Sequence, residues 1–160
     1  GAGGVSRTLA FALRREGAIV VVANRSLERA HDLARDADCT CIDWAQRHSR
    51  HVDVLINGTS VGMYPDMERT PFHSGSLAES MVVFDTVYNP ESTLLLREAR
   101  ERNCKTVSGV EMFVRQAEAQ FQRFAGCDPP EGLMATLVRE ELSPARVMLR
   151  QARLQGGEAS

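Results

Sequence analysis

Lysine is nearly missing from this chain: of 19 basic residues among 160, only Lys105 is not an arginine. The 21 acidic residues bring the formal net charge to −2, which leaves no field to gather nucleic acid or an anionic membrane surface. Aromatic residues make up only 6% of the chain, and Trp44 is the one tryptophan. No apolar run approaches the roughly 18 residues that suggest a membrane-spanning helix, and no secretory signal is recognisable. Cys39, Cys41, Cys104 and Cys127 form no C-x-x-C pair, and no histidine stands at zinc-finger spacing. Neither a zinc site nor a disulfide framework is therefore expected. Cys39 and Cys41 read as small core residues on one face of a strand, and a reducing, cytoplasmic setting fits. His31, His48, His51 and His73 lack acid or thiol partners at metal spacing and read as surface residues.

With those classes set aside, 43% hydrophobic and 25% charged content describes an ordinary globular domain with a core of its own. Its most informative stretch is Gly1-Ala2-Gly3-Gly4-Val5-Ser6-Arg7. A helical apolar pattern through Leu9, Ala10, Phe11 and Leu13 follows, and Gly17 is placed to end it. Ala18 to Ala23 is then a continuous apolar run suited to a buried parallel strand. A glycine turn opening onto a helix gathers backbone N–H groups and the positive end of the helix dipole at one point, where a pyrophosphate binds. The motif reads Gly-x-Gly-x-x-Ser where the dinucleotide fingerprint ends in Gly or Ala.

In the NAD-binding form of this unit an acidic residue about 20 positions after the glycines receives the ribose hydroxyls, whereas an arginine there accommodates the 2′-phosphate of NADP. Here the strand runs into Asn24-Arg25-Ser26, with Arg29 three residues further on, and no Asp or Glu falls between positions 18 and 27. A carboxylate would repel the phosphate and two guanidiniums would grip it, so the expected cofactor is NADP. Ser26 is placed to cap a helix over Leu27 to Asp36, with Arg29 in its first turn.

Further along, strands are expected at Thr40 to Ile42, Val52 to Asn57, Met81 to Tyr88 and Cys104 to Val107. Asp43 is placed to cap a turn carrying Trp44, and helices are expected over Thr93 to Arg102, Glu111 to Ala125 and Glu131 to Leu142. The apolar face of the Glu111 to Ala125 helix is read as Val114, Ala117, Phe121 and Phe124, and residues 64 to 76 as a surface loop. This alternation predicts an α/β doubly wound, Rossmann-like parallel sheet with helices on both faces, plus C-terminal helices. The expected domains are a cofactor domain over 1–142 and a helical extension with a disordered tail over 143–160. Such a unit has a strand before its glycine turn, so an upstream extension of the polypeptide is expected. Asn57-Gly58-Thr59-Ser60 ends a strand where an open α/β sheet places its ligand crevice. Met112 and Gln116 share one side of the helix beginning near residue 111, and the Gln116 amide suits a hydroxylated ligand.

Taken together, the opening glycine block, Asn24-Arg25-Ser26, Asn57-Gly58-Thr59-Ser60, Asp85-Thr86-Val87-Tyr88-Asn89-Pro90 and Gly109-Val110-Glu111-Met112-Phe113-Val114-Arg115-Gln116-Ala117 resemble the shikimate dehydrogenase family, from residue 1 to about residue 140. The resemblance implies that Gly1, Ala2, Gly3 and Gly4 cradle the pyrophosphate. It implies that Asn24, Arg25, Ser26 and Arg29 hold the 2′-phosphate and that Asn57, Thr59 and Ser60 line the cofactor cleft. Thr86, Gly109 and Met112 fall by resemblance near the nicotinamide, and Tyr88 and Gln116 toward the substrate. The implied reaction is NADPH-dependent, reversible reduction of 3-dehydroshikimate to shikimate, with the acid–base Lys and Asp in an amino-terminal substrate domain of the same polypeptide and no catalytic residue in this stretch. A homodimer stays open as an assembly, as do fusion to a second pathway enzyme and a quinate-directed sister activity. Three departures stand out: Thr86 where an apolar residue is common, Gly58 for a frequent Ala, and Phe124-Ala125-Gly126 where Trp-Thr-Gly is frequent. The competing readings are another NADP enzyme, such as a glutamyl-tRNA reductase or a methylene-folate dehydrogenase, and a non-catalytic nucleotide-sensing domain.

Overall fold

The computed structural model describes residues 1–142 and Arg146; the expected extension and tail otherwise lie outside the described residues. Two compact units divide the chain, Gly1–Ser108 and a second beginning at Gly109.

In the first unit, the glycine turn leads into α1 (Gly4–Arg15), which Gly17 terminates in the left-handed conformation at φ 82°. β1 (Val21–Ala23) follows, then α2 (Leu27–Asp36) and β2 (Thr40–Ile42), with Val22 opposite Cys41 in a parallel pair. β3 (Val54–Asn57), β4 (Val82–Asp85) and β5 (Lys105–Val107) form a second parallel ladder in the order β3-β4-β5. Between β4 and β5 runs α3 (Leu94–Glu101), capped by Thr93 and closed by Asn103 at φ 58°. Among the described residues the strands run parallel within each ladder and helices intervene, which is the Rossmann-like architecture expected.

Two apolar clusters hold the ladders. Ala10, Val22, Ala30, Leu33 and Ala37 bring α1 and α2 against β1, and Cys39 and Cys41 pack at its margin as small core residues. Phe72, Leu77, Met81, Val83, Leu95, Leu96 and Ala99 bury α3 against β4. Each fully buried Leu or Val contributes about 1.5–3 kcal/mol relative to exposure, so this second cluster is the firmer.

Several boundaries differ from the sequence reading. β1 and β3 begin later than the apolar runs at Ala18 and Val52, because strand pairing spans only part of each run. β4 ends at Asp85 and not at Tyr88, since the Val87 N–H leaves the ladder for the Asp85 carboxylate at 3.0 Å. The stretch 64–76 is not merely a surface loop: Phe72 is core, and Ser74–Ser76 form a short 3-10 turn.

The second unit contains α4 (Gly109–Ala125), ended by Gly126 at φ 69°, and α5 (Leu133–Glu141). The expected apolar face of α4 holds only in part. Val114, Ala117 and Phe121 are half-buried, but Phe124 is 90% exposed.

Candidate dinucleotide-binding site

The glycine turn has the geometry a phosphate requires. Gly3 occupies the N-cap position in extended conformation with no side chain capping α1, and no acidic residue lies in the first helical turn. Around Gly3 and Gly4 a Cβ would meet nothing within 4 Å, so the approach to the helix terminus is open. Gly1 is different: its nitrogen donates to the Ala23 carbonyl at 2.7 Å, and a side chain there would strike the Gly58 carbonyl. Ala2 packs against the cluster under α1 and contributes backbone to the turn.

At the end of β1, the Asn24 amide donates to the Ser26 carbonyl at 3.0 Å, which holds the turn, and Ser26 Oγ accepts the Arg29 N–H at 3.4 Å as the cap of α2. Arg25 and Arg29 are exposed. Neither guanidinium is bonded to any described residue, whereas Arg7, Arg14, Arg35, Arg69 and Arg97 are each paired with a carboxylate. Two cations at a capped turn, uncommitted among the described residues, fit a phosphomonoester, and the nearest acid in sequence is Glu28 in the first turn of α2.

The crevice loops after β3 and β4 are built the opposite way. Asn57 is buried and its amide is fully used: Oδ1 accepts the Thr59 N–H at 3.0 Å and the Thr59 hydroxyl at 2.7 Å, while Nδ2 donates to the Val61 carbonyl at 3.1 Å and to Asp85 Oδ1 at 2.9 Å. Thr59 Oγ1 in turn accepts the Val61 N–H at 3.1 Å. Thr86, the residue that stood out among apolar expectations, turns its hydroxyl back onto the Asn57 carbonyl at 2.9 Å. Asn57, Thr59 and Thr86 thus shape the loops, and Ser60 between them in sequence is exposed.

Asp85 and Thr93 are the two residues the sequence reading missed here. The Asp85 carboxylate is buried and receives Asn57 Nδ2, the Val87 N–H at 3.0 Å and the Thr93 hydroxyl at 2.7 Å. Burial raises its pKa above the ordinary value, with the three hydrogen bonds opposing that shift. Through Thr93, which also caps α3, one carboxylate ties the β3 loop, the β4 loop and a helix together. The available signal was an acid ending an apolar strand, followed eight residues later by a capping threonine. Tyr88 is partly exposed on the β4 loop, whose Asn89 carbonyl accepts the Tyr64 N–H at 3.0 Å. In the second unit, Gly109 opens α4 and is buried; Met112 is half-buried and Gln116 exposed, one turn apart.

No group of three His, Cys, Asp or Glu side chains among the described residues is arranged to hold a metal. His31 lies on α2 beside Cys41, and His48 accepts the His73 N–H at 3.2 Å. Partial burial, and then the positive charges of Arg47 and His73, lower the His48 pKa. Among the described residues no helix is long and apolar enough to cross a membrane.

A parallel α/β unit with an open glycine turn, a capped second helix and strand-end loops joined by hydrogen bonds is a Rossmann-like domain of the dinucleotide-binding class. Its relatives narrow the class. Residues 109–139 match the family model for the shikimate 5′-dehydrogenase C-terminal domain. A shikimate dehydrogenase (NADP(+)) of Methanosarcina mazei is 42% identical over 151 residues, covering 89% of this chain and 54% of that protein. The bifunctional 3-dehydroquinate dehydratase/shikimate dehydrogenase of Arabidopsis thaliana is 45% identical over 136 residues, 83% of this chain and 23% of the plant protein. Among solved structures, a shikimate dehydrogenase in complex with NADP+ superposes with a TM-score of 0.81 at 31% identity, over 89% of this chain and 53% of that one. The chain belongs to the shikimate dehydrogenase family, and it spans about half the length, or less, of the relatives it matches.

Proposed function

We propose that this chain is the NADP-binding part of a shikimate dehydrogenase, an oxidoreductase that reversibly reduces 3-dehydroshikimate to shikimate with NADPH. When bound, the cofactor supplies the hydride. Gly1 to Gly4 and the start of α1 receive its pyrophosphate, and Asn24, Arg25, Ser26 and Arg29 surround its 2′-phosphate. Asn57 and Thr59 fix the loop on which Ser60 lines the cleft; Thr86, Gly109 and Met112 serve the nicotinamide side. Tyr88 and Gln116 orient the substrate, whose hydroxyls suit an uncharged amide. By the family resemblance, the proton is moved by a Lys and an Asp in a substrate domain of the same natural polypeptide. A cytoplasmic setting and a homodimer belong to the same reading.

The observation that carries it is the pair of uncommitted guanidiniums at Arg25 and Arg29, beside a glycine turn open to phosphate. Calorimetric titration of the unaltered protein with NADP+ and NAD+ tests it. NADP+ is expected to bind about tenfold tighter or more, the equivalent of one well-formed charged contact. Equal affinities would remove the argument, and tighter NAD+ binding would reverse it.

A further inference from the structure

Two departures from the expected motifs, Ser6 in the fingerprint and Gly58 in the β3 loop, meet in space. Ser6 Oγ donates to the Gly58 carbonyl at 3.1 Å across 52 residues of sequence. A methyl group on Gly58 would fall onto Ser6 Oγ and lie 3.2 Å from Ser6 Cβ, tighter than an ordinary carbon–carbon contact. The same Gly58 carbonyl stands where a side chain on Gly1 would point. The glycine turn, the first turn of α1 and the β3 loop therefore converge on one peptide group. The third position of the fingerprint is where a small residue lets the helix approach the strand closely. In this chain the helix carries the larger residue and the loop opposite gives up its Cβ.

We infer that Ser6 and Gly58 are a matched pair of positioning residues that sets the spacing between the pyrophosphate turn and the loop carrying Thr59 and Ser60, and with it the affinity for the dinucleotide. Neither side chain has to touch the cofactor. The hydroxyl bond fixes one peptide group, and the missing methyl lets that bond form. A Cβ at 58 forces Ser6 Oγ into another rotamer, breaks the bond and pushes the loop from the turn, so the ligand meets two half-sites at the wrong separation. This rests on the NADP reading above.

The test is a cycle of Gly58→Ala, Ser6→Ala and the two together, made in the natural polypeptide that carries these residues. NADP+ binding, KM for NADP+ and kcat are measured with shikimate as the second substrate. Gly58→Ala alone is expected to raise Kd and KM for NADP+ about tenfold with kcat nearly unchanged, the loss of one well-formed contact. Ser6→Ala is expected to cost about threefold, and the double variant to bind clearly tighter than Gly58→Ala, since removing the hydroxyl lifts the overlap and leaves only the 3.2 Å approach to Cβ. A merely structural fault would reduce kcat through the folded fraction and leave KM unmoved.

Unchanged binding in Gly58→Ala, or a double variant as weak as Gly58→Ala, overturns the pairing. Should Gly58→Ala not fold, Ser6→Ala/Gly58→Ala or Ser6→Gly/Gly58→Ala, the latter also relieving the 3.2 Å approach, must fold and bind NADP+; failure of both overturns it. An unaltered protein that binds no NADP+ sinks the cofactor reading and the affinity role with it. Thermal melting of the same four proteins would then still show whether the two positions are coupled.

Discussion

The two ends of the candidate site are made on contrary plans. Around Arg25 and Arg29 the side chains are exposed and have no partner among the described residues, and Asn24 and Ser26 hold the backbone turn. Around Asn57 and Asp85 nearly every polar group is spent on another protein group, in the buried interior between β3, β4 and α3. On the proposed reading, the first end recognises by side chains held in reserve and the second by loop shape. Affinity and stability should therefore separate cleanly at the arginines and travel together at the carboxylate.

The largest break is expected at Asp85. Asp85→Ala strands three donors, and an unsatisfied buried donor costs about 1–3 kcal/mol. With incomplete additivity the protein should lose about 3 kcal/mol or more of unfolding free energy in urea. A loss below about 1 kcal/mol would show that water replaces the carboxylate without penalty.

At the other end, Arg25→Ala combined with Arg29→Ala should weaken NADP+ by about tenfold or more and leave NAD+ almost untouched, with stability within about 0.5 kcal/mol of the parent. Added salt should erode the NADP+ preference of the parent and not of the variant, because the contacts are exposed. A variant that loses both cofactors alike, or melts early, would place the arginines in the fold and dissolve the contrast.

The smallest effect concerns protonation. Burial holds the Asp85 pKa above its ordinary 3.8, so between that value and the raised one the native state binds more protons than the unfolded chain. Stability linked to this group is thus fully present below the ordinary value and is lost as pH rises through the raised one. The stability of the parent relative to Asp85→Asn should fall with rising pH across that window and then level off. Denaturation series from about pH 4 to pH 8 will read it; a difference that grows with pH would mean that the three donors outweigh burial.

Local chemistry made much of this legible beforehand. Ser26, Asp43 and Asn103 act where capping and left-handed preferences put them, and the glycine turn, α2 and β2 follow their patterns closely. Strand ends were less legible, since an apolar run such as Met81 to Tyr88 does not say how much of it finds a partner. The Asn57–Asp85 bond joins residues 28 apart and the Ser6–Gly58 bond residues 52 apart. Such pairs depend on parallel crossovers that no local window contains, so the hydrogen bonds that Asn57 and Thr86 make within the loops were not legible beforehand. Phe124 shows the converse: its helical spacing suggested burial, and spacing alone cannot specify what lies opposite.

The uncommitted arginines also bear on how this protein can change over generations. Substitutions at positions 25 and 29 break no contact among the described residues, so their folding consequences should be close to neutral. Cofactor preference can then drift or be selected without first accumulating spare stability, in contrast to most active-site properties. A lineage that needed the other nicotinamide nucleotide would find its route through this turn, by acquiring a carboxylate at the end of β1, while the carboxylate-centred loops stayed as they are.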